Sequence, residues 1–237
     1  MRLQKSTGKC LYQERILLYM NYDSVPLRDF KELNDWETVI FVYQSALKQV
    51  ETKIDILNGE FQHRHKYNPI EHVKSRIKTP ESIVKKLKRH GYESSIENMV
   101  RYVNDIAGIR ISCSFTSDIY LIADMISKQN DLTILARRDY MKNPKKSGYR
   151  SYHMLVTTPV FLSDSIIDTK VEIQIRTVAQ DFWATLEHKM HYKFEGDGPD
   201  YITKELRECA RYVAELDTRM EELNNEIQKY GKLSDKK

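Results

Sequence analysis

The chain has 237 residues, 41% hydrophobic and 30% charged, with only eight glycines and six prolines, which is the composition of an ordered globular protein and excludes a disordered or fibrous one. Its longest apolar stretches, Ile16 to Met20 and Val39 to Tyr43, fall far short of the roughly 20 residues that cross a bilayer, and Met1 to Cys10 lacks the apolar core of a signal peptide, so no membrane partner is expected. The net charge of +4 hides an uneven distribution, because two basic segments leave the rest of the chain net acidic.

The length suits one enlarged domain, or one domain with helical additions. Cys10, Cys113 and Cys209 are odd in number and widely separated, which points to a reduced, cytoplasmic chain. From Pro26 to about His63 the spacing of Trp36, Ile40, Tyr43, Leu47, Val50, Ile54, Leu57 and Phe61 predicts a long helix with a heptad seam. His72 to His90 is the first basic segment, with seven Lys and Arg against Glu81 alone. Within it Pro80 to His90 reads as a short helix with Ile83, Val84 and Leu87 inward, the Lys and Arg side chains turned away from the core, and Gly91 as its stop. Gly108 to Phe115 alternates Ile109, Ile111, Cys113 and Phe115 against Arg110, Ser112 and Ser114, the pattern of a strand with one buried face. Asp118 to Gln129 reads as a helix and Leu132 to Ala136 as a strand.

Arg137 to Arg150 is the second basic segment, opposed only by Asp139. Two basic segments suit a polyanion such as nucleic acid or nucleotide phosphates, although charge runs also form plain solvated faces. After a turn at Ser147-Gly148, Ser151 to Val160 reads as a strand, and Lys170 to Thr177 closes the sheet. Ala179 to Phe194 reads as a helix. A second heptad pattern, Ile202, Leu206, Cys209, Val213, Leu216, Met220, Leu223, Ile227 and Tyr230, predicts a long C-terminal helix. Spacing alone leaves open whether the two long helices pair with each other, across subunits, or both. The Lys236-Lys237 tail reads as frayed.

The Lys170 to Thr177 strand has Val171, Ile173 and Ile175 on one face and Glu172, Gln174 and Arg176 on the other. A carboxylate, an amide and a guanidinium in one row require something polar above them. Asp105 could bring a second carboxylate to that side, and two carboxylates among many cations suggest Mg²⁺ completed by phosphates and water. The alternative is a turn role for Asp105 and a surface ion pair between Glu172 and Arg110. Neither His63 with His65 nor His188 with His191 has the spacing and third ligand of a metal site, and no Cys-x-x-Cys exists. The phosphate-cradling glycine loops and a G-x-S-x-G elbow are also missing. Phosphate binding must therefore rest on side chains.

D-I-A-G-I-R (105 to 110), K-K-S-G-Y-R-S-Y-H (145 to 153), V-E-I-Q-I-R-T (171 to 177), F-W-A-T-L-E-H (182 to 188) and N-P-I-E-H-V-K-S-R-I-K (68 to 78) together resemble the synthetase domain of the RelA/SpoT alarmone enzymes. The resemblance covers about Tyr67 to Lys193, and it is nearest a small alarmone synthetase of the RelP-like branch. It implies an α+β fold with a nucleotidyltransferase-like mixed β-sheet flanked by helices. The expected organisation is a helical region at 1–66, a catalytic domain at 67–195 and an oligomerising helix at 196–237. The implied activity is transfer of the β,γ-pyrophosphate of ATP to the 3′-hydroxyl of GDP or GTP, with Mg²⁺ as cofactor and AMP released. No His-Asp dipeptide occurs, so the degrading activity of the family is expected to be absent.

Carried over by motif, Asp105 and Glu172 are the implied metal and catalytic carboxylates. Arg76 and Arg110 would sandwich adenine, while Lys78, Ser82, Lys86 and Arg89 would meet the ATP phosphates. Tyr149 would stack on guanine, Lys145 and His153 would contact the acceptor's phosphates, and Arg138 and Gln174 complete the GDP or GTP set. Many members read K-P-N-G-Y where this chain has Lys145-Lys146-Ser147-Gly148-Tyr149, so a guanine contact from an amide is not expected here. The resemblance also implies a homotetramer. A non-catalytic module holding nucleotide or RNA on the same basic face is the alternative, and RNA is not the expected partner. A scaffold built on the two heptad helices is a weaker reading.

Overall fold

The computed structural model describes residues 35–193 and 200–234. The expected helical residues 26–34 and Phe194, together with the Lys236-Lys237 tail, lie outside them. Five strands form one sheet in the order β1-β2-β5-β4-β3, with β1 Ile70–Ile77, β2 Ala107–Cys113, β3 Thr133–Asp139, β4 Tyr152–Phe161 and β5 Ile166–Thr177. β2 and β5 are parallel and the other neighbours antiparallel, so the mixed sheet of an α+β fold is present. The described residues also hold six helices: α1 Trp36–His65, α2 Pro80–Arg89, α3 Ile96–Tyr102, α4 Thr116–Ser127, α5 Val178–Lys193 and α6 Asp200–Ser234.

Val171, Ile173 and Ile175 of β5 are fully buried, as are Ile111 of β2 and Met154 and Val156 of β4, with Ile109 nearly so. Cross-strand pairing puts these side chains on one face, where α1 and α4 cover them in a single core. Each such Val or Ile contributes about 1.5 to 3 kcal/mol relative to exposure. The sequence order makes β5 look like a closing edge, but it lies between β2 and β4.

Asp35 starts α1 by accepting the Thr38 amide at 2.7 Å. The helix buries Val39, Val42 and Ala46 as well as Tyr43, Leu47, Val50 and Ile54, a stripe wider than the expected heptad seam. A sheet face is broader than a partner helix, and covering it takes the wider stripe. Pairing of α1 with the C-terminal helix through this seam is thereby ruled out, since the seam is spent on the sheet. β1 and α3 have no counterpart among the expected elements. β1 buries only Ile70 fully, with Val73 and Ile77 partly covered, because it is an edge strand whose charged outer side discourages further pairing.

α6 docks across the end of β5 by polar contacts. Asp217 Oδ2 accepts from Thr177 Oγ1 at 2.8 Å and from Gln180 Nε2 at 2.7 Å, while Trp183 Nε1 donates to the Leu206 carbonyl at 2.9 Å. Its heptad seam is left open, with Leu216, Met220, Leu223 and Ile227 exposed. Gly148, in the β3–β4 connection, has φ +91°, and a Cβ there would lie 2.5 Å from the Ala210 Cβ of α6. Both the backbone and the close approach require glycine. Gly148→Ala should lower stability by about 2 to 3 kcal/mol in urea denaturation. Combined with Ala210→Gly, the loss should be smaller than the sum of the two single losses.

Candidate active site

The register assembles the site. Arg76 of β1 pairs with Gly108 of β2, which pairs with Glu172 of β5. One step along, Arg110 pairs with Gln174, Gln174 with His153 of β4, and His153 with Arg138 of β3. Directly paired residues share a face, so six expected site residues stand on the side of the sheet opposite the α1 core. A Cβ on Gly108 would meet no atom within 4 Å, and this leaves an open floor between Arg76 and Glu172.

Asp105 sits just before β2. Its Oδ1 accepts Lys86 Nζ at 2.7 Å and its Oδ2 accepts Lys78 Nζ at 3.0 Å. Lys86 therefore turns inward to a carboxylate, not away from the core as its helix pattern suggests. Burial opposes ionisation of Asp105, but Lys86 and then Lys78 hold its carboxyl below the ordinary range. Ser82 and Arg89 share the exposed side of α2, each about one turn from Lys86; the Ser82 amide donates to the hydroxyl of Thr79, the N-cap, at 3.4 Å, and Arg89 ends the helix.

Glu172 Oε2 accepts Gln174 Nε2 at 2.9 Å, and Gln174 Oε1 accepts Arg176 Nη2 at 2.9 Å. Glu172 Oε1 lies 3.6 Å from His153 Nδ1, and His153 Nε2 is 2.9 Å from the Tyr149 hydroxyl. Burial pushes the His153 pKa down and the Tyr149 pKa up. The imidazole is thus neutral at pH 7, and the tautomer that suits both partners carries its proton on Nδ1. Burial opposes the charge on Glu172 too, yet the His153 and Gln174 donors hold its carboxyl below the usual value despite the neighbouring charge of Asp105. The alternative Glu172 to Arg110 pair does not form, because Arg110 faces Asp181 at 3.5 Å.

The Tyr149 ring stands under Lys145 Nζ at 4.6 Å, with the Arg176 guanidinium carbon 5.6 Å from its centroid. Ser147 Oγ accepts the Tyr149 backbone amide at 3.4 Å and closes the turn. Three further residues were not singled out as site residues in the sequence. Arg176 and Asp181 are 3.5 Å apart, and Lys170, with its pKa pushed down to about 8 by burial and then by Lys86, donates to the Arg101 carbonyl and to Asn104 Oδ1. The β5 alternation already put Arg176 on the polar face without giving it a role, and one step back from Glu172 would have added Lys170. No such signal marks Asp181.

Among the described residues no group of three or more His, Cys, Asp or Glu is placed to hold a metal. Two carboxylates, with the charge of Asp105 felt at Glu172, nevertheless fit a hard, oxygen-seeking divalent ion that takes the rest of its ligands from phosphate and water. No described helix is long and apolar enough to cross a membrane.

Known proteins resemble this chain over most of its length. The chain is 45% identical over 82% of its length to the GTP pyrophosphokinase YwaC of Bacillus subtilis, 93% of which is covered. The crystal structure of small alarmone synthetase 2 from Bacillus subtilis superposes with a TM-score of 0.74 at 44% identity, covering 81% of this chain and 99% of that one. Small alarmone synthetase 1 from the same organism, bound to its product pppGpp, superposes with a TM-score of 0.76 at 34% identity, covering 81% and 98%. Residues 75–197 match the region found in RelA / SpoT proteins, and the chain belongs to that family.

Proposed function

We infer that this chain is a GTP pyrophosphokinase that makes (p)ppGpp, moving the β,γ-pyrophosphate of ATP onto the 3′-hydroxyl of GDP or GTP and releasing AMP. The observation that carries this reading is a pair of ionised carboxylates, Glu172 on the polar sheet face and Asp105 just before β2, among the cations Lys78, Lys86, Arg76, Arg110 and Arg138. A module that only holds phosphates gains nothing from carboxylates beside its ligand, so RNA or nucleotide binding without turnover accounts for the site less well. Incubation with ATP, GDP and Mg²⁺ should give AMP and a guanosine tetraphosphate in equal yield by anion exchange; neither product would appear from a pure binder.

In this reading Arg76 and Arg110 hold adenine between planar guanidiniums, a task Lys performs poorly. Lys78, Ser82, Lys86 and Arg89 meet the ATP phosphates, and Tyr149 stacks on guanine with Lys145, His153, Arg138 and Gln174 around the acceptor. Mg²⁺, held by Asp105 and Glu172, supplies charge neutralisation at the transferring phosphates. Glu172 takes the proton of the 3′-hydroxyl as its oxygen attacks the β-phosphorus. Neutral His153 keeps that carboxylate aimed and ionised. The catalytic unit spans 67–195 and the protein works in the cytoplasm, in keeping with free Cys113 and Cys209.

Glu172→Gln should cut turnover by roughly 10²-fold or more with the fold intact, and wild-type rates would remove Glu172 from the mechanism. His153→Ala deletes an N–H that stabilises the carboxylate form, so the Glu172 pKa should rise. The acid limb of the kcat–pH profile should then move to higher pH, and activity should be lost earlier as pH falls. An unmoved limb would separate His153 from Glu172.

The open seam of α6, in which Leu216 is 53% and Ile227 66% exposed, is the surface for assembly of a homotetramer. Leu216→Glu with Leu223→Glu places two charges in that seam, each costing several kcal/mol if buried unpaired. Light scattering at micromolar concentration should show smaller particles than for the parent. A parent that is already monomeric would end this reading without touching the catalytic one.

A further inference from the structure

Asp181 lies in the first turn of α5, four residues beyond the end of β5. Its Oδ1 is 3.5 Å from Arg110 Nη1 and 3.5 Å from Arg176 Nε. The two arginines come from adjacent strands, where Arg110 pairs with Gln174 and Ser112 with Arg176, so they are diagonal neighbours on the polar face. Only 2% of the Arg176 side chain is exposed. Burial lowers the Arg176 pKa, and the charge of Arg110 pushes it the same way, while Asp181 opposes both. Two guanidiniums held this close in a half-dry site need an anion between them.

We propose that Asp181 is a positioning residue that ties the donor-base and acceptor-base pockets together as the shared counter-ion of Arg110 and Arg176. This rests on the reading above, in which Arg110 frames adenine and Tyr149 stacks on guanine. Arg176 stands by the Tyr149 ring and, through Gln174, reaches Glu172. Arg110 Nε, Arg176 Nε and Asp181 Oδ1 have no hydrogen-bond partner although all three are buried. Neither arginine is therefore locked by directed bonds at that edge, and the charge of Asp181 sets where both planes rest. Such an ion pair resists rotation of either guanidinium without fixing it by hydrogen-bond geometry.

The test is steady-state kinetics of Asp181→Asn in the full chain, with ATP and GDP varied in turn. KM should rise about 10-fold for both nucleotides while kcat falls much less. Calorimetric titration with GDP, and separately with a non-hydrolysable ATP analogue, should show the same two losses without turnover. Asp181→Glu keeps the charge and should recover most of both affinities. A role limited to the α5 terminus would lower the melting temperature and leave both KM values unchanged, overturning the proposal, as would a change in only one KM. If Asp181→Asn does not fold, Asp181→Glu alone decides, since its smaller KM changes must still move together. Failure of the wild-type chain to make a tetraphosphate would instead overturn the pyrophosphokinase reading, and the calorimetry would still report on Asp181.

Discussion

A strand at the centre of a sheet cannot leave a polar side chain without a partner, and β5 carries three in a row. Glu172, Gln174 and Arg176 answer this constraint by bonding to one another along the strand, each two residues from the next. His153 from β4 and Asp181 from α5 close the two ends of that chain. The opposite face of the same strand is Val171, Ile173 and Ile175, which fixes the register, because a slip of one residue would drive the charged row into the α1 core. The Glu172 carboxylate is therefore aimed by the same alternation that builds the core.

The α6 helix is held to this strand more by polar contacts than by apolar area. The small cluster of Trp183, Ala184 and Ala210, with Tyr149 and Val213 against it, would be a weak attachment by itself. Asp217, which receives two hydrogen bonds from residues 177 and 180, adds direction. Burial pushes the Asp217 carboxyl upward while those two donors pull it back. The helix thus touches both the end of β5 and the β3–β4 connection at Gly148.

Much of this was legible from the chain. The alternation in 171–177 and 109–113 showed the two faces of the sheet, and the motif order brought Arg76, Arg110, Glu172, Gln174, His153 and Arg138 to a common side. What escaped was fixed by tertiary contact. β1 was hard to read because its apolar face is thin, with Ser75 standing between Val73 and Ile77 and a bulge separating them from Ile70. The inward turn of Lys86 depends on Asp105, nineteen residues later, and no helical pattern contains that information. Asp181 is invisible for the same reason, since its two partners lie on different strands. The width of the α1 stripe follows from the flat surface beneath it.

The contacts of Asp105 also set the sign of the local field. One carboxylate meets two ammonium groups, so this corner of the site is a net cation although it contains an acidic residue. A lone divalent ion diffusing in would meet repulsion there, whereas an anion would meet attraction. A polyphosphate arriving with its own counter-ion already attached carries the compensating charge with it, and its approach grows more sensitive to ionic strength as that compensation weakens.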